Sequence, residues 1–119
     1  MHTIQTVSVV GGDTRQIYTA LRLEEYGFDV RLFGFDRFVG GPPLPPRAES
    51  LSQALRCDAA VLPLPCSKNG KTLNAPFADA EIPLREIAAL ASPDAVFFTG
   101  MASESFVKTL SADGAAVFD

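Results

Sequence analysis

The chain has 119 residues, 47% of them hydrophobic and 20% charged, with a formal net charge of −4. That length suits one domain with a real core, the composition excludes a disordered chain, and the acidic balance argues against nucleic acid or anionic lipid as partner. No apolar run approaches the ~20 residues of a membrane span, and Met1-His2-Thr3 leads into a strand rather than a signal peptide, so a cytoplasmic location is expected.

Ile4 to Val10 is a β-branched run closed by Gly11-Gly12, the pattern of a buried strand. Asp13 or Thr14 can cap the helix that follows, with Ile17, Ala20 and Leu21 on its inner face, Leu23 at the flank, and Arg15, Arg22 and Glu25 opposite. Glu24 falls on the inward stripe, and Gly27 ends the helix. Phe28 to Phe33 alternates apolar and polar residues, as an edge or near-edge strand does. The stretch GGPPLPP at 40–46 reads as a stiff, extended connector.

A short helix from Glu49 to Leu55 leads to a third strand, Ala59 to Leu62. Residues 63–81 form a long loop rich in Pro, Asn and Gly, and loops of that length are usually functional or disordered. Pro83 opens a helix that runs to Leu90, and Ala95 to Phe98 is a fourth strand. Ser103 begins a helix with Phe106, Val107 and Leu110 inward, Gly114 closes it, and Ala115 to Phe118 is a fifth strand. Apolar strands joined by helical crossovers predict an α/β fold: one three-layer sandwich, its five-stranded parallel sheet ordered 2-1-3-4-5 and covered on both faces, flavodoxin-like or Rossmann-like.

Ligands of open parallel sheets bind beyond the carboxyl ends of the strands, where strand order reverses, here between strands one and three. That point gathers Gly11 to Gln16, Pro63 to Phe77 and Thr99 to Met101. A dinucleotide fingerprint needs glycines at its first, third and sixth positions, but counting from Gly11 the latter two hold Asp13 and Gln16. Asp13 also sets a carboxylate where a pyrophosphate would lie, so this turn is not expected to hold a nicotinamide dinucleotide.

A smaller anion suits the turn better. Gly11 and Gly12 admit close approach, the helix N-terminus offers N–H groups, Arg15 can grip a carboxylate through paired hydrogen bonds, and Gln16 can donate or accept beside it. Each residue also has a plainer reading: turn glycines, a solvated Arg15, Asp13 as a helix cap, and Ser67, Lys68 and Asn74 as solvated loop residues. Cys57 and Cys66 read as small interior thiols, Cys66 near the candidate site, and with His2 the lone histidine no zinc site is expected.

Five pieces carry a further signal: VVGGDTRQ (Val9 to Gln16), GFD (Gly34 to Asp36), LPLP (Leu62 to Pro65), LNAPF (Leu73 to Phe77) and FFTG (Phe97 to Gly100). In order and spacing, across nearly the whole chain, they resemble the N-terminal domain of the dipicolinate synthase A-subunit; the Pro-rich connector at 42–46 departs from that pattern. The resemblance implies that residues 1–119 are a single substrate-side domain, similar to that of two-domain 2-hydroxyacid and alanine dehydrogenases. It implies part of an oxidoreductase whose NADP is bound by a C-terminal Rossmann domain outside these residues, so this chain alone is inactive and holds neither cofactor nor metal. With the flavoprotein-like B-subunit of dipicolinate synthase, such a protein oxidises dihydrodipicolinate to dipicolinate during sporulation.

On that reading the dicarboxylate substrate meets Gly11, Gly12, Arg15, Gln16, Pro63, Ser67, Asn74, Thr99 and Gly100. Lys68 or Lys71 would be a second cation, and Asp13 is the candidate proton acceptor. The surface that the protein's own C-terminal domain covers would be an expected site of homodimerisation for the isolated domain. The competing reading is a non-catalytic flavodoxin-like interaction or small-ligand-binding module. A receiver would need an aspartate after the third strand, where Pro63 and Pro65 stand, and a flavodoxin a Ser/Thr-rich phosphate loop where GGDTRQ stands.

Overall fold

Val7, Val9 and Val10 place strand β1 (Thr6–Val10) in the interior of the sheet, in a computed structural model that describes residues 3–119. The readings that touch Met1 and His2 lie outside the described residues. β1 is flanked by β2 (Asp29–Phe33) and β3 (Ala59–Val61), followed outward by β4 (Val96–Phe98) and β5 (Ala116–Phe118). All pairs are parallel and the order is β2-β1-β3-β4-β5, as the alternation of strands and helices predicts.

The helices begin where short polar side chains can satisfy free amides. Asp13 caps α1 (Thr14–Glu25) by accepting from the Arg15 amide, Ser50 caps α2 (Leu51–Leu55), and Ser103 caps α4 (Glu104–Ser111). Pro83 precedes α3 (Leu84–Leu90). Gly27, at φ +95°, turns the chain out of α1.

Strand residues alternate between two cores. Val9, Val30 and Leu32 pack with Ile17 and Ala20 of α1; Val10, Ala60, Leu62 and Phe97 pack with the apolar sides of α2, α3 and α4. Right-handed crossovers explain this division: the chain steps one way from β1 to β2 and the other way from β2 through β5, so among the described helices α1 alone lies on its face. Helices lie on both faces of the sheet, as the three-layer reading predicts, but with unequal cover. α1 shelters only part of its side, and on the outer strands Phe98 and Phe118 remain 40% and 59% exposed. Glu24 also departs from its inward position; it lies in the last turn of α1 and is exposed.

β2 is an edge strand, as its alternation predicts, and the Pro-rich connector covers its open side. Leu32 donates to Pro46 O and accepts from Ala48 N, at 2.9 and 2.8 Å, so an unpaired edge is blunted by chain that cannot extend the ladder. The long loop after β3 has no helix or strand but is stapled in place. Cys66 N donates to Gly100 O, Asn74 N to Cys66 O, and Leu73 N to Ile82 O, each at 2.8 Å. Leu73, Ala78 and Ile82 anchor it in the core.

Candidate functional site

The turn after β1 meets the loop after β3 at the carboxyl end of the sheet, and the two are locked together. Gly12 N donates to Asn74 O at 2.8 Å, Gln16 Nε2 to Leu62 O at 3.3 Å, and Arg15 Nη2 to Leu64 O at 3.0 Å. Gly11 N is spent on Phe33 O at 2.9 Å. Both glycines have positive φ, +72° and +104°. A Cβ on Gly11 would lie 2.5 Å from Leu73 Cδ2, and one on Gly12 would collide with Gln16 Cγ. The close approach expected at these glycines is thus made by the protein itself, by the loop at Gly11 and by Gln16 of α1 at Gly12, and the Gly11 and Gly12 amides are already engaged.

Arg15 stands at the rim of this crevice. Its Nε lies 3.0 and 3.1 Å from the two Asp13 carboxylate oxygens and its Nη2 lies 3.0 Å from Oδ2, a forked pairing of helix-start residues two positions apart. Nη1 makes no hydrogen bond among the described residues, so one edge of the guanidinium faces outward. Hydrogen bonds from the Arg15 side chain and amide hold the Asp13 carboxyl below its usual range, and Asp13 in turn raises the guanidinium. A depressed carboxylate that caps a helix is a weak base, which counts against Asp13 as proton acceptor.

The remaining candidates lie in the same region but not in one hollow. Asn74 and Lys68 line a hollow of about 390 Å³, together with Arg37 and Asp79. Gln16, Thr99 and Gly100 line a shallow groove of about 200 Å³ beside Leu64 and Phe98. Ser67 borders a third hollow of about 180 Å³, with Cys66 and Met101. Pro63 is fully buried, and Lys71 is exposed on the loop. Asn74 Nδ2 donates to Pro65 O at 3.0 Å, and Ser67 Oγ bonds Thr72 O while accepting from Gly70 N, so both help to shape the loop.

Gly100 has a packing reason of its own, since a Cβ there would collide with Leu64 Cδ1. Thr99 Oγ1 is shut from solvent beside the Cys66 thiol. Burial pushes both Cys66 and Cys57 upward in pKa, so both are thiols near neutral pH. Both are free of disulfide bonds. Among the described residues no three His, Cys, Asp or Glu side chains gather as a metal site, and no helix is long and apolar enough to cross a membrane.

Arg37 is the residue that sequence reasoning missed. Its Nη2 donates to Pro76 O at 2.8 Å and its Nε lies 4.0 Å from Asp79 Oδ1, which places a cation on the wall of the 390 Å³ hollow. The available signal was its position immediately after the GFD piece. The carbonyl acceptors of Leu62, Leu64 and Pro65 had no signal, because backbone groups carry no residue signature.

Five parallel strands in this order, with helices on both sides, define a Rossmann-like α/β domain, a fold shared with a dehydrogenase structure. Within that class, residues 6–119 match the N-terminal domain of the dipicolinate synthase A-subunit, and the chain belongs to that family. The A chain of dipicolinate synthase from Bacillus subtilis has the same fold, with a TM-score of 0.76 and 21% identity over 100% of this chain and 41% of that one. The dipicolinate synthase A-subunit from Bacillus halodurans matches with a TM-score of 0.72 and 19% identity, over 96% of this chain and 40% of that one. A D-isomer specific 2-hydroxyacid dehydrogenase from Xanthobacter autotrophicus Py2 matches at 0.63 and 22%, over 97% and 39%. This chain spans about two fifths of the length of these structures, and at such identities the likeness is one of fold. No curated protein sequence matches the chain.

Proposed function

We propose that this domain is the substrate-side part of an NADP-dependent oxidoreductase that forms dipicolinate from dihydrodipicolinate in the cytoplasm of a sporulating cell, with the B-subunit of dipicolinate synthase as partner. The family match over residues 6–119 carries this reading. The site chemistry is compatible with it: a dicarboxylate needs cations and fixed donors, and the crevice offers the outward edge of Arg15, with Lys68 and Arg37 beside the neighbouring hollow. Arg15 would receive one substrate carboxylate by exchanging Asp13 for it. An exposed ion pair costs little to open, so Asp13 would hold the guanidinium in place until substrate arrives. Asn74 and Gln16, fixed through backbone carbonyls, would orient the ring.

NADP does not fit this turn. Asp13 lies where a pyrophosphate would sit, and the Gly12 amide is committed to Asn74 O. The nucleotide would belong to a C-terminal Rossmann domain outside residues 1–119, where it supplies the hydride acceptor. The role of this chain is to bind and align the ring.

Isothermal titration of dipicolinate into the domain tests the proposal. Binding that falls at least ~10-fold in Arg15→Ala, a loss typical of a charge-assisted contact, is the expected result. Absence of binding, or equal affinity in the variant, would favour the non-catalytic interaction module instead.

A further inference from the structure

The long loop after β3 makes an excursion that is closed at its neck. Leu73 N donates to Ile82 O and Leu84 N to Lys71 O, at 2.8 and 2.9 Å, and Thr72 pairs with Pro83 in antiparallel register. Arg37 pins the outer turn: its amide donates to Phe77 O and its Nη2 to Pro76 O, both at 2.8 Å. Asp79 N donates to Asp36 Oδ2 at 3.2 Å. The hollow of about 390 Å³ that this excursion shares with Arg37 and Lys68 therefore has walls fixed by main-chain bonds. Its volume falls in the ~300–1,000 Å³ range of small-ligand pockets.

Charge in this hollow is of both signs and largely unspent. Arg37 and Lys68 line it together with Asp79 and Glu81. Lys68 and Glu81 form no ion pair among the described residues, and Arg37 approaches Asp79 only to 4.0 Å, with its Nη1 making no hydrogen bond. Asn74 gives its Nδ2 to Pro65 O, and its Oδ1 accepts no hydrogen bond among the described residues. Asn69 and Thr72, by contrast, bond each other at 3.0 Å. Asp79 and Glu81 also line an adjoining hollow of about 270 Å³, where Asp36 and Glu86 join them. The wall they form thus carries carboxylates on both of its sides and a negative potential, while Arg37 and Lys68 supply the positive groups.

We infer that this hollow binds a free α-amino acid with a short, uncharged hydrogen-bonding side chain. Asp79 and Glu81 take its ammonium, and Arg37 and Lys68 take its carboxylate. The charge count selects the class. Two cations and two carboxylates stand in balance, and a zwitterion preserves that balance. A dianion would bring a carboxylate against Asp79 and Glu81, and a bare cation would meet Arg37 and Lys68. Asn74 Oδ1, held in place through Nδ2, accepts from the side-chain amide or hydroxyl of the ligand. This inference does not rest on the dicarboxylate reading of the Arg15 crevice, and either stands if the other fails.

The test is a proton–nitrogen NMR titration of the chain with L-serine, L-asparagine and L-glutamine, each to about 50 mM, well above the ~1 mM dissociation constant expected of so open a site. At least one should give saturable shifts centred on the amides of Arg37 and residues 68–82. The deamino and decarboxy analogues of the tightest of the three should each bind at least ~5-fold more weakly, the loss expected for one partly exposed charged contact. Arg37→Gln and Glu81→Gln should weaken it by a similar factor, and both side chains are exposed, so neither change should cost folding. No saturable shift with any of the three, an analogue that binds as tightly, variants of unchanged affinity, or dipicolinate displacing the amino acid from these amides would each overturn the inference.

Discussion

Replacing Gly11 by alanine tests whether the glycine pair makes room for the protein's own loop. Gly11 sits at φ +72°, where an L-residue costs about 1–2 kcal/mol. The new methyl would stand 2.5 Å from Leu73 Cδ2 and 3.3 Å from Ala75 Cβ. Leu73 is only 5% exposed and its Cδ2 must shift to admit the methyl, and overpacking of this kind costs a further 1–3 kcal/mol or so. The total, about 2–5 kcal/mol, corresponds to a melting temperature lowered by roughly 8–20 °C for a domain of this size. Gly27→Ala is the control: φ is +95° but nothing lies within 4 Å of the added Cβ, so it should show the backbone cost alone. Urea unfolding of Gly11→Ala, Leu73→Ala and the double variant then isolates the contact. Removing the Leu73 side chain relieves the overlap, so the double variant should be more stable than the sum of single losses by about 1 kcal/mol or more. Additivity within about 0.5 kcal/mol, or a Gly11→Ala loss no greater than that of Gly27→Ala, would refute the packing argument.

Asp13→Ala should cost about 1 kcal/mol through loss of the α1 cap. Because Arg15 lowers the folded-state pKa of Asp13, the ionic part of its contribution is complete above the unfolded value near 3.9 and disappears as pH falls through the lower folded value. The difference in melting temperature between wild type and variant should therefore narrow as pH drops below about 4, and a constant difference would contradict the pairing. Ser8→Ala removes a buried hydroxyl that donates to Ala54 O and should cost about 1–2 kcal/mol in urea unfolding; a neutral result would mean that this bond contributes nothing. Burial raises both thiols, so stability is undiminished below about pH 8.5 and falls as pH rises above it. Native alkylation should be slow and should reach half-buried Cys57 before buried Cys66, an order that mass spectrometry reads directly.

Where local chemistry decides structure, the sequence was readable. The valines of β1, the caps Asp13 and Ser103, the Pro83 start of α3 and the Gly27 exit each act within a few residues, and they fall within a residue or two of where pattern places them. Strand order followed from the regular alternation of strands and helices, but right-handed crossovers leave α1 alone on its face among the described helices, a consequence that composition conceals because Phe98 and Phe118 look like ordinary core residues. The forked pairing of Arg15 with Asp13 was within reach of sequence, since an extended cap residue points its carboxylate back toward the first turn of the helix. The loop that fills the crevice was not, because its contacts run from backbone carbonyls.

The co-occurrence of the two most distinctive pieces, GGDTRQ and LNAPF, has a steric origin. Gly11 lacks a side chain where Leu73 fills the space, and Gly12 places its amide where Asn74 offers a carbonyl. Arg15 and Gln16 then reach across to Leu64 O and Leu62 O. Neither piece has a complete hydrogen-bond inventory without the other, and an added side chain at Gly11 would demand a smaller one at Leu73. The two therefore form a single packing unit across more than fifty intervening residues, whatever ligand the rim accepts. Such a unit fixes the height of the Arg15 guanidinium above the sheet through three anchors: the α1 cap, the Asp13 carboxylate and the Leu64 carbonyl. A lysine at 15 would keep the charge but lose the fork that reaches both Asp13 and Leu64, and so could not hold that position.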